Sequence, residues 1–175
     1  MPFIKGKKAV IVILTDGEAS DGDIAKVMRP LHQLPVWVVI RLCTDNEGIV
    51  DYWNKIDNRI ELNMDVIDDF LGESKEVYAF NRWFTYGEPL HRIREFGVTI
   101  KELDLIDEAP LSMEQMTNFI NLLFGITLPQ PELDWNQFVA VVSTYNDQIP
   151  MVWNPIHGRL CQWIDVALLT QTYQR

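Results

Sequence analysis

The stretch Ala9-Val-Ile-Val-Ile-Leu-Thr-Asp-Gly-Glu-Ala-Ser-Asp-Gly-Asp23 opens with an unbroken apolar run and ends in an acidic loop. The run from Ala9 to Leu14 is rich in β-branched residues, which is typical of a strand buried on both faces inside a parallel sheet. Ligands of open α/β sheets bind beyond the carboxyl ends of the strands. The loop after Leu14 is therefore the first candidate for a functional site.

A second and a third strand follow, and helical patterns separate the three. Residues 36–43 form another nearly continuous apolar run, and residues 60–64 alternate as a shorter strand does. Apolar residues recur at helical spacing after Ile24 and after Ile49, and Pro30 predicts a break in the first of these helices. This alternation of strand and helix predicts an α/β fold with a mostly parallel sheet in a three-layer arrangement.

The composition changes after residue 107, and we predict a domain boundary there. The α/β unit would comprise residues 1–107, and a small, mainly helical appendage would comprise residues 108–175. In the appendage, Ser112-Met-Glu-Gln115 matches a capping box and Asp134 is a candidate N-cap, so two helices are expected. A turn signal within residues 151–163 predicts a small hairpin.

The charge balance limits which kinds of partner are expected, and the cysteines indicate the cellular compartment. The chain has 15 Lys and Arg against 25 Asp and Glu, so its net charge is −10. This charge repels phosphate backbones and anionic lipids, and we expect neither a nucleic-acid nor a membrane partner. Cys43 and Cys161 lie far apart and predict buried, reduced thiols in a cytoplasmic protein, although a disulfide between them stays open.

Residues 10–22, with Thr-Asp-Gly after the apolar run, resemble the fourth strand and following loop of von Willebrand factor type A domains. Residues 35–40 look like the fifth strand of that family, and residues 60–64 look like the sixth. The resemblance covers residues 4–97 and only the second half of such a domain. It implies a doubly wound, Rossmann-like sheet, a fold that this family uses most often for protein binding.

The resemblance also bears on metal binding in the acidic loop. It gives Asp16 one position of the family's metal-ion-dependent adhesion site, and Asp21 is a second candidate ligand in the same loop. The family's Asp-x-Ser-x-Ser loop and its later Thr do not precede residue 9 in this sequence. Mg²⁺ requires nearly octahedral oxygen coordination, so we expect an incomplete site and no resident cofactor, with Mg²⁺ left as a possibility. Loop carboxylates also suit a plain helix start, where the helix dipole favours negative charge.

Residues 112–138 resemble, more distantly, the helix–loop–helix spacing of an EF-hand. Ile126 and Leu128 stand where oxygen ligands belong, and Pro131 replaces the turn glycine. The resemblance therefore implies a degenerate pair of helices that packs without calcium.

Histidines and tryptophans complete the set of candidate functional residues. We expect His32 and His91 to be packing or surface residues, and His157 to be exposed in a turn. Trp37 and Trp53 are predicted to face the sheet–helix core. The remaining tryptophans of the appendage are predicted to form its own core rather than a peptide-binding surface, and they are Trp135, Trp153 and Trp163.

These patterns favour a non-enzymatic protein–protein interaction module, because no base and nucleophile pair can be assembled from neighbouring positions. The alternative is a metal-dependent hydrolase in which the acidic loop holds the ion and His32 or His91 moves protons. The carboxylates of that loop are Asp16, Glu18, Asp21 and Asp23. The sequence does not identify a natural partner or substrate.

The first strand is also a candidate interface. In a type A-like sheet the strand from Ala9 to Leu14 would lie at an edge, because its inner neighbour is missing. It carries no Lys, Pro or inward charge, and edges of this kind recruit another strand. We expect the edge to be covered, either by the same strand of a second copy in a homodimer or by the chain's own residues 151–154.

Overall fold

The computed structural model describes residues 9–60, 62–98 and 100–174, and these contain both helices and strands. A three-stranded parallel sheet and a separate two-stranded antiparallel hairpin are present. Contacts divide the chain into two compact units. The first unit comprises the described residues up to Asp69 together with Arg92–Val98, and the second comprises Phe70–His91 together with the described residues from Ile100 onward.

The strands and helices are named here in chain order. The strands are β1 (Ala9–Thr15), β2 (Val36–Leu42), β3 (Met64–Ile67), β4 (Val152–Asn154) and β5 (Arg159–Cys161). The helices are α1 (Ile24–Met28), which a 3-10 turn (Arg29–Gln33) continues, α2 (Glu47–Asp57), α3 (Phe70–Phe80), α4 (Glu88–Glu95), α5 (Lys101–Leu105), α6 (Met113–Phe124), α7 (Trp135–Gln148) and α8 (Val166–Tyr173).

The sheet has the order β1-β2-β3, and both pairs of strands are parallel. This confirms an α/β arrangement in which the first strand lies at an edge of the described sheet. The third strand begins at Met64, at the end of the predicted range. Residues after α2 still complete its last turn, since the Ile60 N–H donates to the Ile56 carbonyl (3.2 Å), so the chain reaches the sheet later than its alternation suggests.

One face of the sheet packs on α1 and α2. Ile11 and Ile13 of β1 join the buried residues of β2 and of these helices, including Trp53 at 4% exposure. Pro30 ends α1 as predicted, and the chain continues as a 3-10 turn because proline cannot supply the helical N–H. Asn46 caps α2 by accepting a hydrogen bond from the Gly48 N–H (2.9 Å).

Arg92–Val98 contact side chains on the other face of the sheet. Arg94 lies 3.2 Å from Asp65 of β3, and Glu95 lies 2.8 Å from Arg41 of β2. Both Arg94 and Glu95 are almost fully buried. The pair between Arg94 and Asp65 is therefore largely shielded from solvent and salt, whereas Arg41, the partner of Glu95, is 36% exposed. Gly97 has a φ of 74°, and a Cβ there would overlap a methyl group of Val10. Only glycine combines that backbone conformation with that close approach.

The core of the second unit is aromatic. Phe84 packs edge-to-face on Phe119 with the ring centroids 4.7 Å apart, and Trp83 meets the same ring at 6.2 Å. Residues on both sides of position 107 therefore share one core. Contacts between residues place the first boundary between the two units after Asp69, whereas the sequence predicts a boundary after residue 107. The helices that follow residue 108 find much of their apolar partner surface in residues 77–90.

The predicted caps and turns of the second unit are confirmed. Ser112 and Gln115 form the reciprocal capping box of α6, and Gly125 ends that helix in the left-handed conformation. Asp134 accepts a hydrogen bond from the Gln137 N–H (2.9 Å) at the start of α7. The expected hairpin is β4 and β5. The segment proposed as a cover for β1 therefore pairs within the second unit instead.

In the second unit, the side chains of two buried asparagines form hydrogen bonds with backbone groups. The Asn81 amide donates to the carbonyls of Ile106 (2.8 Å) and Ala109 (2.9 Å), and its oxygen accepts from the Leu111 N–H (3.1 Å). Asn146 bonds in the same way to the N–H and carbonyl of Ile164. These two side chains thus satisfy hydrogen-bonding groups of irregular backbone.

The phenol of Tyr173 is a partly buried titratable group of the second unit. Its hydroxyl donates to the Leu111 carbonyl (2.8 Å). Burial raises the pKa of Tyr173 from 10.0 to about 12, and the neighbouring Trp83 side chain lowers it in part. The folded state favours the neutral phenol, so this contribution to stability is complete below pH 10 and is lost as the pH rises through about 12.

We therefore expect one tyrosine to ionise near pH 12 in the native protein, as measured by the ultraviolet absorbance of tyrosinate. Tyr173→Phe should remove this step. A titration curve for Tyr173→Phe that matches the parent at every pH would contradict the assignment.

Candidate functional site

The first candidate surface is the outer side of β1. Within the described residues, β1 pairs only with β2. The Ala9 N–H donates to the Pro35 carbonyl (3.0 Å), so alternate residues starting at Ala9 direct their backbone groups towards β2. The intervening residues direct their N–H and C=O groups away from the sheet, and they are Val10, Val12 and Leu14.

The side chains of the same three residues are exposed. We call Val10, Val12 and Leu14 the β1 edge surface; their exposed fractions are 44%, 38% and 60%. The expectation of a strand buried on both faces is therefore wrong for β1. Ile11 and Ile13 pack into the core, but Val10, Val12 and Leu14 lie on the opposite face of the sheet, which the described residues cover only in part. An apolar strand of this kind is a site for another chain.

The acidic loop carries separated, solvated carboxylates. Asp16, Glu18 and Asp21 are exposed, and Asp23 caps α1 and lies 3.2 Å from Arg59. No three of these described acidic side chains bring their oxygens together. A Mg²⁺ site at Asp16 and Asp21 stays a prediction.

Carboxylates do converge elsewhere, in the second unit. Three carboxylate oxygens lie within 4.8 Å of one another, and they belong to Glu73, Glu76 and Asp107. Glu73 is buried, Glu76 is exposed and Asp107 is half-buried, and each has further interactions. Three oxygens can hold a divalent cation if water supplies the remaining ligands. Glu73 and Glu76 are three residues apart, so the sequence predicts that they share one face of a helix. Asp107 comes close to them only because the chain folds.

A cleft in the second unit lies between the end of α3, the β4–β5 hairpin and the start of α8. We call it the hairpin cleft, and its volume is about 460 Å³. The guanidinium of Arg82 lies 5.7 Å from the centre of the Tyr78 ring, and the His157 ring meets that ring edge-on at the same distance. Arg159 and Cys161 of β5 line the same cleft.

A smaller cavity in the first unit has a volume of about 340 Å³. Its polar lining includes Arg29, His32 and Arg59. Arg59 is already engaged, because it pairs with Asp23.

The remaining candidate residues fall outside a common site. His91 is buried against Tyr86, with 3.4 Å between the hydroxyl and Nδ1, whereas His32 and His157 are exposed. Both cysteines are free, but Cys43 is exposed rather than buried because it follows the last residue of β2.

The tryptophans divide between core and surface. Trp53 and Trp163 are buried as predicted, and Trp37 and Trp135 are half-buried. Trp153 is 50% exposed, so it does not belong to the core expected for the appendage.

Comparison with known proteins does not assign the chain to a family. No family model, no curated protein and no solved structure matches it. Among the described helices, none has the length and apolar character needed to cross a bilayer. The functional proposal below therefore rests on the geometry of this chain.

Proposed function

We propose that the chain is a protein–protein interaction module that associates with a second copy of itself through β1. The observation that carries this proposal is the β1 edge surface, which combines exposed apolar side chains with outward backbone groups on one strand. Pairing of β1 with β1 across a two-fold axis would extend the sheet and cover both strands at once.

The charges around β1 favour a second copy as the occupant. β1 itself contains no charged residue, so two copies can approach there despite the net charge of −10. Antiparallel pairing places the acidic loops of the two copies, which begin at Asp16, at opposite ends of the paired strands, so their negative charges stay apart.

The resemblance to a type A-like half domain belongs to the same proposal. It is supported by the parallel order β1-β2-β3 and by the edge position of β1, which matches a fourth strand whose inner neighbour, the first strand, is missing. A three-layer arrangement is supported by α1 and α2 on one face of the sheet and by Arg92–Val98 on the other. The free thiols of Cys43 and Cys161 support a place in the cytoplasm.

The metal-dependent hydrolase remains the alternative, and the geometry favours it less. Its four carboxylates do not converge among the described residues, and Asp23 is engaged in a helix cap and an ion pair. A hydrolytic metal needs fixed ligands and an open position for water. The geometry of the acidic loop meets neither of these requirements well. The geometry of β1 meets the requirements of strand pairing better.

Sedimentation equilibrium of the full chain tests the proposal. We expect a dimer of the 20.4 kDa chain at micromolar concentrations and a monomer for Val12→Lys, which places like charges across the two-fold axis. Leu133→Lys is the matched control, because Leu133 is 81% exposed and lies outside the β1 edge surface; it should remain dimeric.

Val12→Pro is a second variant that tests the backbone pairing itself. The Val12 N–H points away from β2, so proline should weaken the dimer while β1 keeps its bonds to β2. A monomeric parent chain, or a Val12→Lys variant as dimeric as the parent, would refute the proposal.

A further inference from the structure

We propose that the hairpin cleft is a binding site for a small organic anion, with the carboxylate or phosphate group held by Arg82 and Arg159. This site lies in the second unit and does not depend on the function proposed for β1. The volume of the cleft, about 460 Å³, is within the range of sites that enclose a small molecule.

The charge of the lining is the first argument. The chain as a whole is acidic, with 25 Asp and Glu against 15 Lys and Arg. In this setting arginines usually find a carboxylate, yet among the described residues neither Arg82 nor Arg159 forms an ion pair. Two guanidinium groups lining one concave surface attract an anion, and each can bond two of its oxygens at once.

The acidic residue that lines the cleft is already engaged. Asp165 caps α8 by accepting a hydrogen bond from the Leu168 N–H (2.9 Å). Its charge is directed in part to that helix terminus, where the helix dipole favours it. The arginines are therefore the lining residues best suited to bind a ligand's charge.

The arrangement around Tyr78 is the second argument. Arg82 lies over the Tyr78 ring, and His157 contacts the same ring edge-on, with 5.7 Å between centres in both cases. Stacking on an aromatic ring restricts the guanidinium and reduces the entropy lost on binding. The His157 side chain also lines the cleft.

The walls of the cleft are held by hydrogen bonds, so the site is formed before a ligand arrives. The Asn154 side chain accepts from the backbone N–H groups of Ile156 and His157, both at 3.0 Å, which fixes the hairpin turn. The Thr85 N–H donates to the Trp163 carbonyl (2.8 Å) on the adjoining wall. A preformed site loses less free energy to ordering when it binds.

Apolar side chains determine what else the ligand carries. Phe84, Met151 and Ile164 line the cleft together with the two arginines. Such a surface suits an apolar body attached to the anionic group, rather than a free inorganic ion. Phenyl phosphate and benzoate have this chemistry, and benzyl alcohol has a similar body without the charge.

Titration of the full chain with these three compounds, followed by amide chemical shifts, tests the proposal. We expect phenyl phosphate or benzoate to shift residues of the cleft at millimolar concentrations, and benzyl alcohol to have no such effect. The tighter of the two anions distinguishes a phosphate site from a carboxylate site. The double variant Arg82→Ala with Arg159→Ala should bind at least about tenfold more weakly.

Two controls keep the test specific. Lys75→Ala removes an exposed cation from the same helix as Tyr78, at a position that does not line the cleft, and should bind like the parent. Arg82→Lys with Arg159→Lys keeps both charges and should retain more affinity than the alanine pair. The proposal is overturned if neither anion binds, if benzyl alcohol binds equally well, or if Lys75→Ala weakens binding as much as the arginine pair.

Discussion

Asn81→Ala is expected to lower the free energy of unfolding of the second unit by about 3–5 kcal/mol, because each buried backbone group left without a partner costs about 1–3 kcal/mol. Asn81 is fully buried and serves three such groups, the carbonyls of Ile106 and Ala109 and the N–H of Leu111. Alanine can satisfy none of them, and the space it leaves is closed to bulk water. Urea denaturation followed by circular dichroism measures the loss.

Two further substitutions separate this role from general packing. Asn81→Asp retains an acceptor for the Leu111 N–H but places a carboxylate against two carbonyl oxygens, so it should be at least as destabilising as alanine. Asn118→Ala, at an exposed position of α6, is the matched control and should change the stability by no more than about 0.5 kcal/mol. An Asn81→Ala variant as stable as Asn118→Ala would show that the three hydrogen bonds are replaceable.

Trp53→Ala is expected to destabilise the first unit by about 3–5 kcal/mol, as a large-to-small change in a core. Trp53 is 4% exposed and packs among residues of β2, α1 and α2. Its indole N–H also donates to the Gly17 carbonyl (3.0 Å), so the ring fastens the acidic loop to α2. The variant loses apolar burial and leaves that carbonyl without its donor.

Comparison with two other variants assigns the loss to its causes. Trp53→Phe keeps an aromatic ring but removes the N–H, and it should cost distinctly less than alanine. Trp153→Ala removes a ring that is 50% exposed, and it should change the unfolding midpoint only slightly. If Trp53→Ala and Trp153→Ala proved equally mild, the position of α2 against the sheet would be wrong.

The parts of the fold that the sequence predicts are those with local causes. Pro30 ends α1 wherever the rest of the chain lies, because it lacks an N–H. Ser112 and Gln115 satisfy each other within one turn, and Asp134 caps α7 in the same local way. The parallel pairing of β1 with β2 follows from two apolar runs and the short helix between them.

The parts that the sequence does not predict depend on distant partners. Asn81 bonds to backbone groups that lie at least 25 positions further along the chain, and the residues around Asn81 in the sequence do not indicate these bonds. Asp107 joins Glu73 and Glu76 only after the chain folds. The lining of the hairpin cleft likewise draws Arg82 and Arg159 from separate parts of the chain. Such sites become visible only when the contacts are known.

The return of Arg92–Val98 to the first unit has a consequence for protein synthesis. A ribosome makes β1, β2 and β3 before it makes α3 and α4, so Arg41 and Asp65 leave the exit tunnel ahead of Glu95 and Arg94. The nascent sheet therefore waits for its ion-pair partners and for Gly97 while Phe70–His91 of the second unit are being translated. Folding of the first unit during translation can be completed only after residue 98 has emerged, so this sheet is exposed to chaperones for longer than a contiguous domain would be.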